Sequence, residues 1–258
     1  MGHNVKVFLL SLMIATGGLA VPNVIVLLID DLGSEACTPY GGEPWSTPNI
    51  DQIAYDGMRF ENMFAAPRCA PARASLLTSR NPWVQLDPVI GSPVLAGGPM
   101  DTNEVTMADI LVDEGYDTFF CGKWNLRYGS DDDTASNFTN QHIHITDCGF
   151  TSIGQTTIGH TMTYGDPTNA VNYMPYKVNQ SALTYLDTAT EPFYMQYSFG
   201  LLHEAHTDEY GAIGLPPTPL NPADFPTTET ASNQFTYCSI YIDILVSNII
   251  AKVESLNI

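Results

Sequence analysis

The sequence contains little positive charge. Only 9 of its 258 residues are Lys or Arg, against 28 Asp or Glu, so the formal net charge is −19 at pH 7. A chain this acidic repels phosphate backbones and anionic membranes, which argues against nucleic acid as a partner. It also offers no long-range attraction to an anionic substrate. Any such ligand therefore needs a local cationic pocket.

Cysteine is scarce and is not spaced for a structural metal. None of Cys37, Cys69, Cys121, Cys148 and Cys238 forms a C-x-x-C pair, so we predict no structural zinc site. Apart from Cys69, four thiols remain, a number that permits pairing in an oxidising compartment.

Long apolar runs are also absent after the N-terminal segment. In the rest of the sequence, no stretch approaches the ~18 apolar residues that a membrane span needs. Lys6 precedes the apolar residues 7–14, and the small residues Gly18 and Ala20 follow. This order predicts a secretory signal peptide over residues 1–20. We therefore expect the protein to enter the secretory pathway and to be secreted, periplasmic or lysosomal according to its host.

Strand-like and helix-like segments alternate along residues 21–258, without repeats or an obvious linker, so we expect one domain there. Residues 24–29 form the β-branched and leucine run of a strand buried on both faces. The alternation predicts an α/β fold with a wound, mostly parallel central sheet and helices on both faces. Further strands are predicted over residues 58–64, 117–121 and 192–199. Helices are predicted over 47–57, over 106–114 and over 237–256, and another helix is predicted to begin at residue 69. Long surface connections are predicted over 129–179 and 211–233. Asn137 and Asn179 stand in N-glycan sequons.

Two adjacent carboxylates end the first predicted strand. Asp30 and Asp31 are hard oxygen ligands of the kind that Ca2+ or Mg2+ prefers. They lie at the carboxyl edge of the predicted sheet, where open α/β sheets bind ligands. The alternatives are a solvated loop or a helix cap.

A second group of reactive residues begins at Cys69, which opens an apolar helix in the order Cys-Ala-Pro-Ala-Arg. Unpaired N–H groups at a helix N-terminus favour anionic ligands. Arg73 lies four residues on, hence on the same helix face. A third group, Gly122-Lys123-Trp124, ends another predicted strand and adds a cation at the same sheet edge.

Together these three segments resemble the sulfatase family, as do Thr47–Asp51 and Gly57–Phe60 between them. The resemblance implies an alkaline-phosphatase-like fold and sulfate-ester hydrolysis. It implies that a formylglycine-generating enzyme oxidises Cys69 to formylglycine, and that Asp30, Asp31 and residue 69 bind calcium, with magnesium as the alternative.

The resemblance also assigns roles to the other residues. Arg73 would hold oxygens of the hydrated aldehyde and substrate, and Lys123 would contact a sulfate oxygen. His203 would protonate the leaving alcohol, with His206 as the alternative. The substrate would be a sulfate ester, possibly of a carbohydrate.

The sequence departs from the family pattern in several places. Asn125 stands where the family has a histidine base, and Asn cannot act as a base near pH 7. Arg68 and Ser79 flank an otherwise intact Cys69 motif. The downstream Asp-Asn metal motif has no counterpart here, so we expect residues 21–258 to form an incomplete, N-terminal sulfatase catalytic domain.

Two alternatives to a working sulfatase stay open. One is a related phosphodiester or phosphonate hydrolase, because a tetrahedral oxyanion fits the same site. The other is an inactive sulfatase-like paralogue or fragment that binds sulfated glycans.

Histidine also occurs outside these motifs. His142 and His144 alternate as on one face of a strand, with Cys148 nearby. We interpret them as a polar strand face rather than as a metal site, and Cys148-Gly149-Phe150 as scaffold.

Overall fold

The structure is a computed structural model that describes residues 21–42, 47–81, 99–126, 135–157, 174–201 and 231–258. The predicted signal peptide, His203 and His206 lie outside the described residues. The elements follow the chain as β1 (Val24–Leu28), α1 (Pro48–Asp56), α2 (Cys69–Thr78), α3 (Met107–Asp113), β2 (Asp117–Lys123), α4 (Ala135–Asp147), β3 (Ser152–Thr157), α5 (Met174–Leu186), β4 (Phe193–Ser198) and α6 (Ala231–Leu256). Two short 3-10 helices, Ser34–Ala36 and Thr38–Tyr40, follow β1.

The described strands form one parallel sheet in the order β1-β4-β2-β3. Every residue of β4 is buried, as expected of a central strand covered on both faces. Because all strands run the same way, their carboxyl ends meet at one edge of the sheet. That edge carries the ends of the motifs identified in the sequence.

Helices cover both faces of the sheet, which confirms the predicted fold class. One core packs α5 and α6 against Phe119, Cys121, Met195 and Tyr197. The other packs residues of α2, α3 and α4 against Phe120 and Tyr194. Neighbouring strand residues point to opposite faces, so both cores share the same two central strands.

Local sequence signals explain where several helices begin and end. Thr106 caps α3 in a reciprocal capping box with Asp109, and Gly115 follows the helix at φ 86°. Asp243, on α6 and 2% exposed, accepts hydrogen bonds from the backbone N–H groups of Asn49 and Ile50 at 3.0 and 2.8 Å. It thereby supplies the first turn of α1 with acceptors from a distant part of the chain.

Residues 58–64 do not form the predicted strand. The structure has no helix or strand there, and Met58, Phe60, Met63 and Phe64 are exposed, Phe64 by 91%. A strand needs a neighbouring strand for its backbone hydrogen bonds. Within the described residues, no strand pairs with this segment, so its apolar composition was a misleading signal.

The predicted surface connection over 129–179 is also wrong in large part. It contains α4, β3 and the beginning of α5. Its polar composition indicated a loop, but the segment contains an amphipathic helix. Gln141, Ile145 and Cys148 are buried at helical spacing. His142 and His144 therefore lie on a helix and not on a strand. At the C-terminus, α6 begins at Ala231, six residues before the predicted start and inside the predicted loop.

The thiols are not paired. All five cysteines are free, and four of them are buried, whereas Cys69 is half-buried. Cys69 is therefore the most accessible thiol.

Candidate active site

A buried charge cluster joins the three motifs at the carboxyl edge of the sheet. The Lys123 ammonium donates to Asp30 Oδ2, and Arg73 Nη2 lies 3.5 Å from Asp30 Oδ1. Arg73 Nη1 also donates to the Lys123 carbonyl at 2.6 Å. The residues are almost fully buried, with exposed fractions of 6% for Asp30, 2% for Arg73 and 1% for Lys123. The structure therefore brings together residues from β1, α2 and β2.

The cluster carries two cations for one buried carboxylate. Burial lowers the pKa of the Arg73 guanidinium, and the nearby Asp30 carboxylate opposes that shift. Arg73 Nε is buried without a hydrogen-bond partner in the described part of the chain. An acidic chain thus places two buried cations together at the sheet edge, where they contact the carboxylate of Asp30.

Cys69 lies beside this cluster, at the first residue of α2. The preceding Arg68 has extended backbone geometry and gives the helix no side-chain cap. The thiol therefore lies at the positive end of the helix dipole. Asn125 Nδ2 donates to Cys69 Sγ at 3.2 Å, a contact between residues 56 positions apart.

Asn125 is placed by an unusual backbone conformation. It follows β2 at φ 58°, in the left-handed region that Asn tolerates better than most residues. The same conformation occurs at Asp31, which follows Asp30 at φ 56° and is exposed. Both strands therefore end in a sharp turn that redirects a polar side chain at the sheet edge.

Gly122 is required by the close approach of two strands. It has φ 96°, and a Cβ at this position would lie 1.9 Å from the Ser198 carbonyl oxygen. Gly122 pairs with Ser198 between β2 and β4, and the β2–β3 register shifts between Phe120 and Gly122. A glycine here lets β2 end against β4 and deliver Lys123 to Asp30.

The described residues do not by themselves complete a calcium site. Calcium takes 6–8 oxygen ligands. Both Asp30 oxygens already face Lys123 or Arg73, and no group of three His, Cys, Asp or Glu residues gathers within the described ranges. The metal roles of Asp30, Asp31 and Cys69 stay a prediction.

The comparisons with known proteins agree with these motifs. The family model Sulfatase matches residues 22–257. Arylsulfatase A of Bos taurus is 41% identical over 125 residues, which cover 46% of this chain and 24% of that protein. The chain belongs to the sulfatase family.

Two solved structures share the fold. Ps i-CgsB in complex with k-i-k-neocarrahexaose has a TM-score of 0.65 at 21% identity, covering 92% of this chain and 55% of that one. A protein of the alkaline phosphatase superfamily from Vibrio parahaemolyticus has a TM-score of 0.54 at 19% identity, covering 91% and 50%. The chain thus spans about a quarter of arylsulfatase A and about half of these structures.

Within the described ranges, no helix is both long enough and apolar enough to cross a membrane.

Proposed function

We propose that this protein is a sulfuric ester hydrolase whose reactive residue is Cys69, converted to formylglycine. The observation that carries the proposal is the contact between Asn125 Nδ2 and Cys69 Sγ, at 3.2 Å. This contact joins the Cys69 motif to the segment after Lys123. From the sequence alone, the two segments are connected only by their resemblance to the sulfatase family. Family membership supports the reaction class.

The residues around Cys69 can bind and orient a sulfate group. A hydrated formylglycine would supply the oxygen nucleophile at position 69. Lys123 and Arg73 provide buried positive charge beside it, and their desolvation strengthens attraction to an anion. The Asn125 amide donates a hydrogen bond to the atom at position 69 and so orients it. His203 would donate the proton to the leaving alcohol.

Asn125 limits what this arrangement can do. A family histidine at this position would accept a proton, whereas a carboxamide cannot do so near neutral pH. We therefore propose that substrate cleavage precedes a slow recovery of the resting site. The same residue favours the second candidate function, a sulfatase-like protein that binds sulfated glycans without turnover.

Substrate and compartment are further parts of the proposal. A neighbour that binds an oligosaccharide supports a sulfated carbohydrate as the substrate class. We propose weak calcium binding at Asp30 and Asp31, conversion of Cys69 by a formylglycine-generating enzyme, and entry into the secretory pathway. N-terminal sequencing of secreted protein should begin near Val21; secreted material that retains Met1 would contradict the signal peptide.

The experiment that tests the function compares wild type with Cys69→Ala after co-expression with the formylglycine-generating enzyme. We expect hydrolysis of 4-nitrophenyl sulfate by wild type alone and little hydrolysis of the matching phosphate ester. Measurable hydrolysis at the same rate by both proteins would overturn the role of Cys69. No hydrolysis, together with calorimetric binding of sulfated sugars, would establish the glycan-binding alternative.

A further inference from the structure

The His144 ring, on α4, is held by two hydrogen-bond partners. Trp124 Nε1 lies 3.1 Å from His144 Nδ1, and His144 Nε2 lies 2.9 Å from the Met100 carbonyl oxygen. An indole N–H can only donate and a carbonyl can only accept. The ring must therefore accept at Nδ1 and donate from Nε2, which defines a neutral histidine of one tautomer.

This contact completes a network around the turn that carries Asn125. The Met100 backbone N–H donates to the Leu126 carbonyl at 3.1 Å. The residues on both sides of Asn125, Trp124 and Leu126, are thus tied to His144 and Met100. The turn has no regular secondary structure of its own to hold it.

Aromatic packing restricts the indole further. Trp124 is 1% exposed, and the rings of Phe120 and Phe150 meet it edge-on at centroid distances of 5.0 and 6.1 Å. A buried indole N–H without an acceptor would be costly. His144 supplies that acceptor and so fixes the indole in one orientation.

The same contacts argue against a metal role for His144. Both ring nitrogens are engaged by groups other than a metal. Cys148 Sγ lies 3.7 Å from His144 Nδ1, and burial raises the pKa of this thiol, so its S–H is a weak donor toward Nδ1.

We propose that His144 is a positioning residue: through Trp124 it fixes the turn that places the Asn125 amide on Cys69. The link from this placement to catalysis rests on the proposed sulfatase function. The placement itself does not, because the Asn125–Cys69 contact belongs to the unmodified chain.

His142 offers a matched control on the same helix. It is also half-buried, and its Nε2 lies 3.0 Å from Thr156 Oγ1. This contact lies on β3 and not at the Trp124 turn, so His142→Gln removes a comparable histidine hydrogen bond elsewhere.

The first test measures alkylation of Cys69 by iodoacetamide in the unconverted protein. The other cysteines are buried, so mass spectrometry reports mainly on Cys69. Asn125→Ala measures the effect of losing the amide contact on the alkylation rate of Cys69. We expect a change of roughly 2- to 10-fold, because that is the range of one hydrogen bond. His144→Leu and Trp124→Phe should change the rate in the same direction and to a similar extent, and combining either with Asn125→Ala should add little.

Two further measurements separate positioning from general damage. His144→Asn retains an acceptor near the Nδ1 position and should recover most of the wild-type rate, while His142→Gln should match wild type. In converted protein, His144→Leu should lower the rate of the initial burst of alcohol product by about 2- to 10-fold, the range of one hydrogen bond, and should leave KM within about twofold.

The outcomes distinguish the two proposals. If wild type hydrolyses no sulfate ester, the function fails, but the alkylation series still decides the role of His144. Wild-type alkylation in both His144→Leu and Trp124→Phe would overturn the positioning role. An equal change in the alkylation rate of His142→Gln would overturn it as well. So would a double variant in which the separate effects of Asn125→Ala and His144→Leu on that rate multiply, since the two residues would then act independently.

Discussion

The candidate site contains two unlike halves. In the charge cluster of Asp30, Arg73 and Lys123, the side chains are buried and contact one another. In the Cys69–Asn125 pair, the thiol is half-buried and the amide comes from a turn in left-handed backbone geometry. The first half is buried and internally paired, as suits a contribution to stability, and the second half leaves the Cys69 thiol partly accessible. Changes in the two halves should therefore affect different measurements.

Asn125→His should have the largest effect, and it should be kinetic. If Asn125 limits recovery of the site, a histidine base should raise the steady-state rate by about 10²–10⁴. The initial burst of alcohol product should keep its amplitude, since cleavage does not require that base. Rapid-quench kinetics on converted protein measures both phases. Full steady turnover in wild type, unaffected by the substitution, would show that another group is the base.

Asp30→Asn should have the next largest effect, and it should be on stability. The change leaves two buried cations without their carboxylate, and breaking a buried ion pair costs about 3–5 kcal/mol. Urea unfolding measures the loss. The control is Asp187→Asn, which removes the exposed partner of Lys252 and should cost at most about 1 kcal/mol. Equal losses in the two variants would contradict the structural importance of the cluster.

Calcium should have the smallest effect. Asp30 and Asp31 offer only part of a shell of roughly 6–8 oxygens. Isothermal titration should therefore show binding weaker than about micromolar. Tight binding that Asp31→Ala abolishes would mean that other residues complete the site.

The sequence predicted the elements whose patterns are local. The apolar run over residues 24–29 predicted the strand β1, but its expected burial on both faces was wrong, because β1 lies at the end of the described sheet and all its residues are half-buried. The helix predicted over 106–114 is α3, and the Gly115 that follows it marks its end in the sequence. Residues 58–64 and α4 were misjudged because a strand depends on its neighbours and because α4 buries polar Gln141 beside Ile145. Composition cannot report either property.

The sequence indicated that the three motifs meet at one edge of the sheet, but it did not indicate how their side chains contact one another. The motifs identified Lys123 and Arg73 as cations for a ligand, whereas the structure pairs both with Asp30. Lys123 and Asp30 are 93 positions apart, and only the parallel pairing of strands brings them together. The contact between His144 and Trp124 has no sequence signature, because it depends on how α4 packs against β2.

The most direct test of the central claim is the chemical state of residue 69. Trypsin cleaves after Arg68 and Arg73, so digestion should release Cys69–Arg73 as a single peptide. Mass spectrometry of protein made with the formylglycine-generating enzyme should show formylglycine in part of this peptide. Only the thiol form, with a control sulfatase converted in the same cells, would contradict the claim that Cys69 is the reactive residue of a sulfatase.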